Sequence, residues 1–233
     1  MQIYGKNVAK EKLITGGKIK KIYLNKKFND KEILSLIERK KINTIYLDQK
    51  ELDKKCKGLH QGIILEVEDV KTYPLEDIQK IEKEYPLVVI LDHLEDPHNF
   101  GAIIRSCEAF GVDSIIIPKD RAVQITSTVV KTSVGTIDKV KIVAVTNINS
   151  AIKTLKDYGY WIVGTDMEGT EYTDIDYKTK IALVIGNEGK GMSHLVGENC
   201  DYIAKIPMKG TVNSLNASVA CGIFLSEITR SRG

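Results

Sequence analysis

The sequence predicts an α/β protein: a C-terminal parallel β-sheet covered by helices, preceded by a smaller α/β unit. Three observations carry this. From Leu87 onward, short apolar runs alternate with amphipathic stretches, the pattern of parallel strands buried on both faces. Three glycine- or amide-rich segments follow such runs: Asn99–Arg105, Ile185–Met192, and Ile206–Met208 with Asn213–Ser218. The first 67 residues carry their own strand and helix signals, separated from the rest by a charged stretch.

In order, Lys21–Leu24 reads as a strand, and Asp30 is placed to cap a helix reaching about Lys40. In that helix Ile33, Leu34, Leu36 and Ile37 recur at helical spacing. Thr44–Leu47 and Gly62–Val67 are the next strands. Residues 68–84 are charged, weakly periodic and flanked by Pro74 and Pro86, which suits a linker or connecting helix. The expected domains are therefore 1–67, a linker over 68–84, and 85–233. In the last, strands are expected at Leu87–Leu91, Ser114–Ile117, Ile142–Val145, Trp161–Thr165, Ile181–Ile185 and Tyr202–Ile206. Helices are expected at Ala102–Phe110, Ser150–Tyr158, Met192–Asn199 and from about Asn216 to Arg230.

Composition narrows the function classes. With 42% hydrophobic and 28% charged residues over 233 positions, the chain can bury a substantial core. A net charge of only +3 does not by itself demand a polyanionic partner. Its distribution is more telling, because lysines crowd residues 1–60 against few acids. Such a basic quarter suits contact with a phosphate backbone, although a solvated lysine-rich surface reads the same way. The four cysteines form no C-x-x-C pair, which argues against a zinc site and a disulfide framework. No leader-like segment opens the chain and no apolar run approaches 18 residues, so a soluble, cytoplasmic protein without membrane contact is expected.

In an open α/β sheet, ligands bind outside the carboxyl ends of the strands. Three polar segments at strand ends therefore suggest one composite site. The turn at Gly186 to Gly191 is not a phosphate loop: two residues, not four, precede Gly189-Lys190, and glycine rather than Ser or Thr follows. It reads instead as a turn that a ligand or another backbone approaches closely, with a plain strand-to-helix connection as the alternative. Arg105 is expected about one turn inside its helix, where the dipole offers a cation nothing. A phosphate or carboxylate partner, or an ion pair with Glu108, accounts for it. His93 and His98 read as polar loop residues. Asn213, Ser214 and Asn216 are candidate caps for the last helix, but that run holds more amides and hydroxyls than one cap requires.

Taken together, Asp96-Pro97-x-Asn99-x-Gly101-x-x-x-Arg105, Ile185-Gly186-x-Glu188-Gly189-x-Gly191, and Ile206-Pro207-Met208 with Ser214-Leu215-Asn216-Ala217-Ser218 resemble the three motifs of SpoU/TrmH-type RNA ribose methyltransferases, of the SPOUT class. Tyr4-Gly5-x-Asn7-Val8 and His60-Gln61-Gly62-Ile63 resemble the ribosomal-protein-like RNA-binding domain of the RlmB branch, which methylates a guanosine 2′-hydroxyl of large-subunit (23S) ribosomal RNA. The resemblance implies a C-terminal trefoil knot and homodimerisation through the knot domain. It implies a cofactor, S-adenosylmethionine, held by Gly186, Ile206 and Leu215 with Thr165 and Met208 nearby, and no metal. It also implies catalytic roles for Arg105, Asn99, Glu188, Ser214 and Asn216, and RNA rather than DNA as partner, as 23S rRNA or a ribosomal precursor. Two departures stand out: Asn187 replaces a common Ala or Ser, and Thr136-Ile137-Asp138 replaces an Ala-containing segment. A transfer-RNA guanosine methyltransferase is the alternative enzyme, and a non-catalytic RNA-binding or assembly protein of the same fold is the alternative outside catalysis.

Overall fold

The computed structural model describes residues 1–15, 18–133, 135–212 and 214–233; Asn213, one of the candidate caps, lies outside them. Two compact units form. The first holds Met1–Val70 and Ile125–Asp138, the second Lys71–Gln124 and Lys139–Gly233.

In the first unit, β1 (Gln2–Tyr4), α1 (Lys6–Thr15), β2 (Ile19–Asn25), α2 (Lys31–Lys40), β3 (Thr44–Leu47), α3 (Gln49–Lys55) and β4 (Ile63–Val67) follow one another. The sheet order is β1-β4-β2-β3, antiparallel except between β2 and β3. Asp30 caps α2 by accepting from the Ile33 amide, and Ile33, Leu36 and Ile37 are buried. Asp48 and Glu51 form a reciprocal capping box on α3, satisfying two otherwise orphaned donors. Neither β1, α1 nor α3 is expected from periodicity. In α1 the reason is physical: its buried face carries Lys12 beside Ala9 and Leu13, and Lys12 is paired with Asp138.

The second unit opens with β5 (Thr72–Tyr73) and a 3-10 turn over Leu75–Ile78, then β6 (Leu87–Leu91), α4 (Pro97–Ala109) and β7 (Ser114–Pro118). The chain next contributes α5 (Ser127–Thr132) to the first unit. It returns with β8 (Lys141–Val145), α6 (Ile148–Asp157), β9 (Trp161–Glu171), β10 (Ile181–Ile185), α7 (His194–Glu198), β11 (Tyr202–Lys205) and α8 (Ala217–Arg232). The sheet order is β11-β9-β10-β6-β7-β8-β5, parallel throughout. Every residue of β6, β7 and β10 is buried, which is why these strands read as unbroken apolar runs. The charged stretch after residue 67 yields no connecting helix; its Thr72 and Tyr73 pair with Ile142 and Val143 at the sheet edge.

β9 outruns its expected end at Thr165 because it is interrupted. Ile203 pairs with Gly164, but its neighbour Ala204 pairs with Thr170. Residues 165–169 are therefore extruded from the ladder between β9 and β11. Gly169 closes the bulge at φ 147°, and a β-carbon there would collide with the Ile203 carbonyl. No helix among the described residues is long and apolar enough to cross a membrane.

At the far end of α8, Arg232 donates to three carbonyls: Tyr177 at 2.9 Å, Tyr85 at 2.8 Å and Thr179 at 2.9 Å. It thereby ties the helix to the segments that lead into β6 and β10. Arg232→Ala is expected to lower the unfolding free energy by about 2–3 kcal/mol. The measurement is the urea midpoint; an unchanged midpoint would mean that water serves those carbonyls equally well.

Candidate active site

β10 ends in a turn that is built largely by its own residues. The Asn187 and Gly191 backbones exchange two hydrogen bonds, at 2.9 and 3.0 Å. The Asn187 side-chain oxygen accepts from the Gly189 and Lys190 amides at 2.9 and 3.2 Å, and its amide donates to the His93 carbonyl at 2.8 Å. The asparagine that departs from the family pattern thus pins this turn to the loop after β6. A β-carbon on Gly186 would collide with the backbone of Gly191 and Met192. Of the two partners offered for this glycine, it is the chain's own backbone that approaches. Beneath the turn, the buried Asp92 carboxylate accepts from the Ser193 amide at 2.7 Å and meets His93 Nδ1 at 2.6 Å.

A directional chain joins the three motif segments. Asn216 caps α8, its oxygen accepting from the Ser218 amide at 2.9 Å and the Ser218 hydroxyl at 2.6 Å. Its amide therefore faces outward and donates to Asn99 Oδ1 at 2.9 Å. Asn99, only 7% exposed, donates in turn to Glu188 Oε1 at 3.0 Å. Glu188 also accepts a longer contact of 3.4 Å from the Asp96 amide at the start of α4.

Against these segments lies a cavity of about 380 Å³, within the usual range for small-molecule sites. All five residues expected to hold the cofactor line it: Thr165, Gly186, Ile206, Met208 and Leu215. Of the expected catalytic residues, Glu188 and Ser214 line it, and Asn99 and Asn216 stand behind Glu188 in the hydrogen-bond chain. Arg105 is not among the lining residues. It is the ninth residue of α4, which begins at Pro97, and not one turn inside as expected. The N-terminal dipole has faded at that depth, so it says nothing about this arginine. Arg105 is exposed and makes no ion pair among the described residues; Glu108 pairs instead with Lys139 at 3.0 Å.

Sequence reasoning missed other lining residues. Ala217, Ala220 and Phe224 share one face of α8, and their spacing could have revealed it. Asp166 and Met167 reach the cavity through the interruption of β9, which no periodicity announces. The half-buried Cys200 and the buried Cys107 are poor nucleophiles. Burial pushes Cys200 up to about 12, and burial with a hydrogen bond to Cys221 pushes Cys107 up too. Among the described residues, no group of three or more His, Cys, Asp or Glu could hold a metal ion.

A parallel sheet with a cavity at the carboxyl ends of its strands defines the class, an α/β ligand-binding domain of the open-sheet type. The SpoU rRNA Methylase family matches residues 86–226, and the RNA 2′-O ribose methyltransferase substrate-binding family matches residues 2–73. The chain belongs to the SpoU rRNA methylase family, the RNA 2′-O-ribose methyltransferases of SpoU/TrmH type. It is 40% identical, over 99% of its length and 95% of the relative's, to YacO of Bacillus subtilis (strain 168), which is assigned to the TrmH family of tRNA/rRNA methyltransferases. It is similar to the AdoMet-bound rRNA methyltransferase of Sinorhizobium meliloti, with TM-score 0.80 and 26% identity over 98% of this chain and 86% of that one. The A. aeolicus TrmH/SpoU tRNA modifying enzyme is 32% identical with TM-score 0.58, covering 68% of this chain and 82% of its own.

Asn216→Asp isolates the bridge from the cap. Aspartate caps a helix as well as asparagine does, but it offers Asn99 no donor. Turning Asn99 round would only set its oxygen against Glu188. A loss of about 2 kcal/mol in urea unfolding is expected for Asn216→Asp, and wild-type stability would remove the bridge from the account.

Proposed function

We propose that this chain transfers a methyl group from S-adenosylmethionine to the ribose 2′-hydroxyl of a guanosine in large-subunit (23S) ribosomal RNA. The observation that carries the reading is the hydrogen-bonded chain from Asn216 through Asn99 to Glu188, set against a cavity lined by glycines and apolar residues together with a few polar and charged ones. That cavity suits an adenosine. The Gly186, Ile206 and Leu215 backbones hold its polar edge, and Ala217, Ala220 and Phe224 supply apolar wall. The carboxylates of Asp166 and Glu188 outnumber the single lining cation, Lys190, which favours a cationic ligand over an anionic one. Bound there, S-adenosylmethionine supplies a methyl group already activated by a cationic sulfur.

The residues of the chain supply position and charge. Glu188, held by Asn99, keeps a fixed negative wall. Ser214 orients the ribose at the mouth of the cavity, and Asn216 acts at one remove by holding Asn99 against Glu188. Arg105 anchors an RNA phosphate and stabilises the alkoxide that develops as the hydroxyl passes its proton to solvent water. A base role suits it poorly, because a guanidinium with a pKa above about 12 stays protonated near neutrality. Its exposure and its lack of an ion pair among the described residues support the anchoring role.

Coverage supports a ribosomal substrate over transfer RNA. The ribosomal relative aligns with nearly the whole chain, whereas the transfer-RNA enzyme aligns with about two thirds. The working form is taken to be a cytoplasmic homodimer through the second unit, whose surface exposes Trp161, Leu195, Tyr202 and Val219. The proposed trefoil knot is supported by the sheet order, in which β10 lies inside β9 while the following β11 returns to its outer side.

Mapping ribose methylation in ribosomal and transfer RNA from a deletion strain tests the substrate. One 2′-O-methylguanosine missing from 23S RNA is expected, and a loss confined to transfer RNA overturns the ribosomal assignment. Arg105→Lys tests the mechanism. Turnover is expected to fall at least about tenfold, from the lost bidentate geometry, with the pH profile in place. Near-wild-type turnover with a shifted profile would establish Arg105 as the base.

A further inference from the structure

The first unit contains an open cavity of about 730 Å³, lined by Lys6, Lys26, Lys27, Lys50, Phe28, amide side chains and one acid, Asp48, whose carboxylate is engaged in capping α3. Its three walls are the loop after β2, the start of α3 and the turn before β4. All three are fastened by one hydrogen-bond network. The buried His60, 4% exposed, accepts from the Gly62 amide through Nδ1 at 3.1 Å, so its proton lies on Nε2, 2.8 Å from Asp53 Oδ1. The same Asp53 oxygen accepts from Gln49 Nε2 at 2.9 Å. Gln49 Oε1 accepts from Asn25 Nδ2 at 3.0 Å, and Asn25 Oδ1 accepts from the Lys27 amide at 2.8 Å. Backbone bonds from Lys26 to the Leu47 carbonyl and from Asn25 to the Gly62 carbonyl close the frame, at 2.9 and 2.8 Å.

Inside this frame the chemistry is mixed in a specific way. Phe28 is half-buried, and the Lys6 ammonium sits 5.2 Å from its ring centroid, a cation–π distance. The same ammonium lies 3.7 Å from Asp30 Oδ2, so the cation on the ring is the end of a flexible side chain shared with an ion pair. Lys26, Lys27 and Lys50 are exposed and have no ion-pair partner among the described residues. One aromatic face beside several free cations matches one nucleotide: the base on the ring, the phosphates on the lysines. An acidic peptide would use the lysines and leave the ring idle.

We propose that this cavity is a subsite for one unpaired nucleotide of the RNA substrate, whose base stacks on Phe28 while its flanking phosphates engage Lys27 and Lys50. Lys6 leaves the ring when the base arrives and joins the phosphate contacts. The subsite rests on the RNA methyltransferase reading and deepens it, because it says how the first unit reads a single-stranded part of the target. His60 acts through Asp53 and Gln49 as a positioning residue.

The test uses the full-length chain and tryptophan fluorescence. F28W is titrated with a hexaribonucleotide, with an abasic hexamer of equal length and with polyglutamate, and the wild-type signal from Trp161 is subtracted. Quenching by the hexaribonucleotide alone is expected, and F28A should bind it about tenfold more weakly. Equal quenching by the abasic hexamer or polyglutamate, or no quenching, overturns the proposal. The exposed-lysine variant K27Q/K50Q provides a check independent of the ring. Two lost phosphate contacts should lower the slope of log K against log salt by about 1.4, and an unchanged slope overturns the phosphate assignment. Methylation of bulk RNA by the wild type is measured alongside. Methylation without F28W quenching rejects the subsite alone, whereas quenching without methylation rejects the enzymatic reading and leaves a nucleotide site.

Discussion

Asn216 has one oxygen and one amide to place, and the first turn of α8 claims the oxygen. Everything between the last helix and the β10 turn is oriented by that choice. With the amide turned outward, Asn99 must offer its oxygen, and so must send its own amide to Glu188. The direction of each bond is therefore forced rather than assigned by convention, which is uncommon for paired amides. Because Asn99 is buried, either group left unpaired would cost on the order of 1–3 kcal/mol. The helix cap and the Glu188 carboxylate are in this sense one structure, although 28 residues separate them in the chain.

The cavity beside that structure exists because the sheet is incomplete where it counts. A continuous β9–β11 ladder would fill the space with paired backbone. Instead the register jumps, residues 165–169 leave the ladder, and Asp166 and Met167 become cavity wall. On the other side, the Gly186 turn folds so closely on itself that side chains are excluded, and Asp92 anchors its far end from below. A buried carboxylate is tolerated only when its oxygens are satisfied. Here they serve the Ser193 amide and the His93 ring. Pocket and turn are thus shaped by backbone geometry, which leaves few side chains to be chosen for contact with a ligand.

This explains what could be read in the sequence. β6 and β10 declare themselves because burial on both faces leaves them wholly apolar, β7 does so through Ile115–Ile117 despite the buried Ser114, and Asp30 and Asn216 declare helix starts by their chemistry. Proximity around the cavity was also legible, since Thr165, Gly186, Ile206, Met208 and Leu215 lie where motif position puts them. What failed to show was long-range pairing. α1 hides because Lys12 on its buried face is neutralised by Asp138, far along the chain. Ile125–Asp138 joins the first unit for reasons no local pattern records. The depth of Arg105 was misjudged because Pro97 and the Asp96 cap start α4 earlier than the apolar spacing suggests.

The two units also place their charge on different terms. In the second, the acids of the cavity belong to hydrogen-bonded loops, and α8 is anchored by Arg232 through three carbonyls at once. In the first, several lysines are neutralised internally: Lys10 by Glu32, Lys12 by Asp138, Lys18 by Glu68. Lys26, Lys27 and Lys50 have no such partner among the described residues, and they share one cavity rim with Asp48, whose carboxylate caps α3. Like charges gathered around a rim repel one another in the free protein, a cost that falls when an anion arrives and that salt reduces in the meantime. Such an arrangement favours a partner that brings several phosphates together over one that brings a single charge. Its affinity for such a partner would weaken with ionic strength, as charge-dominated binding does.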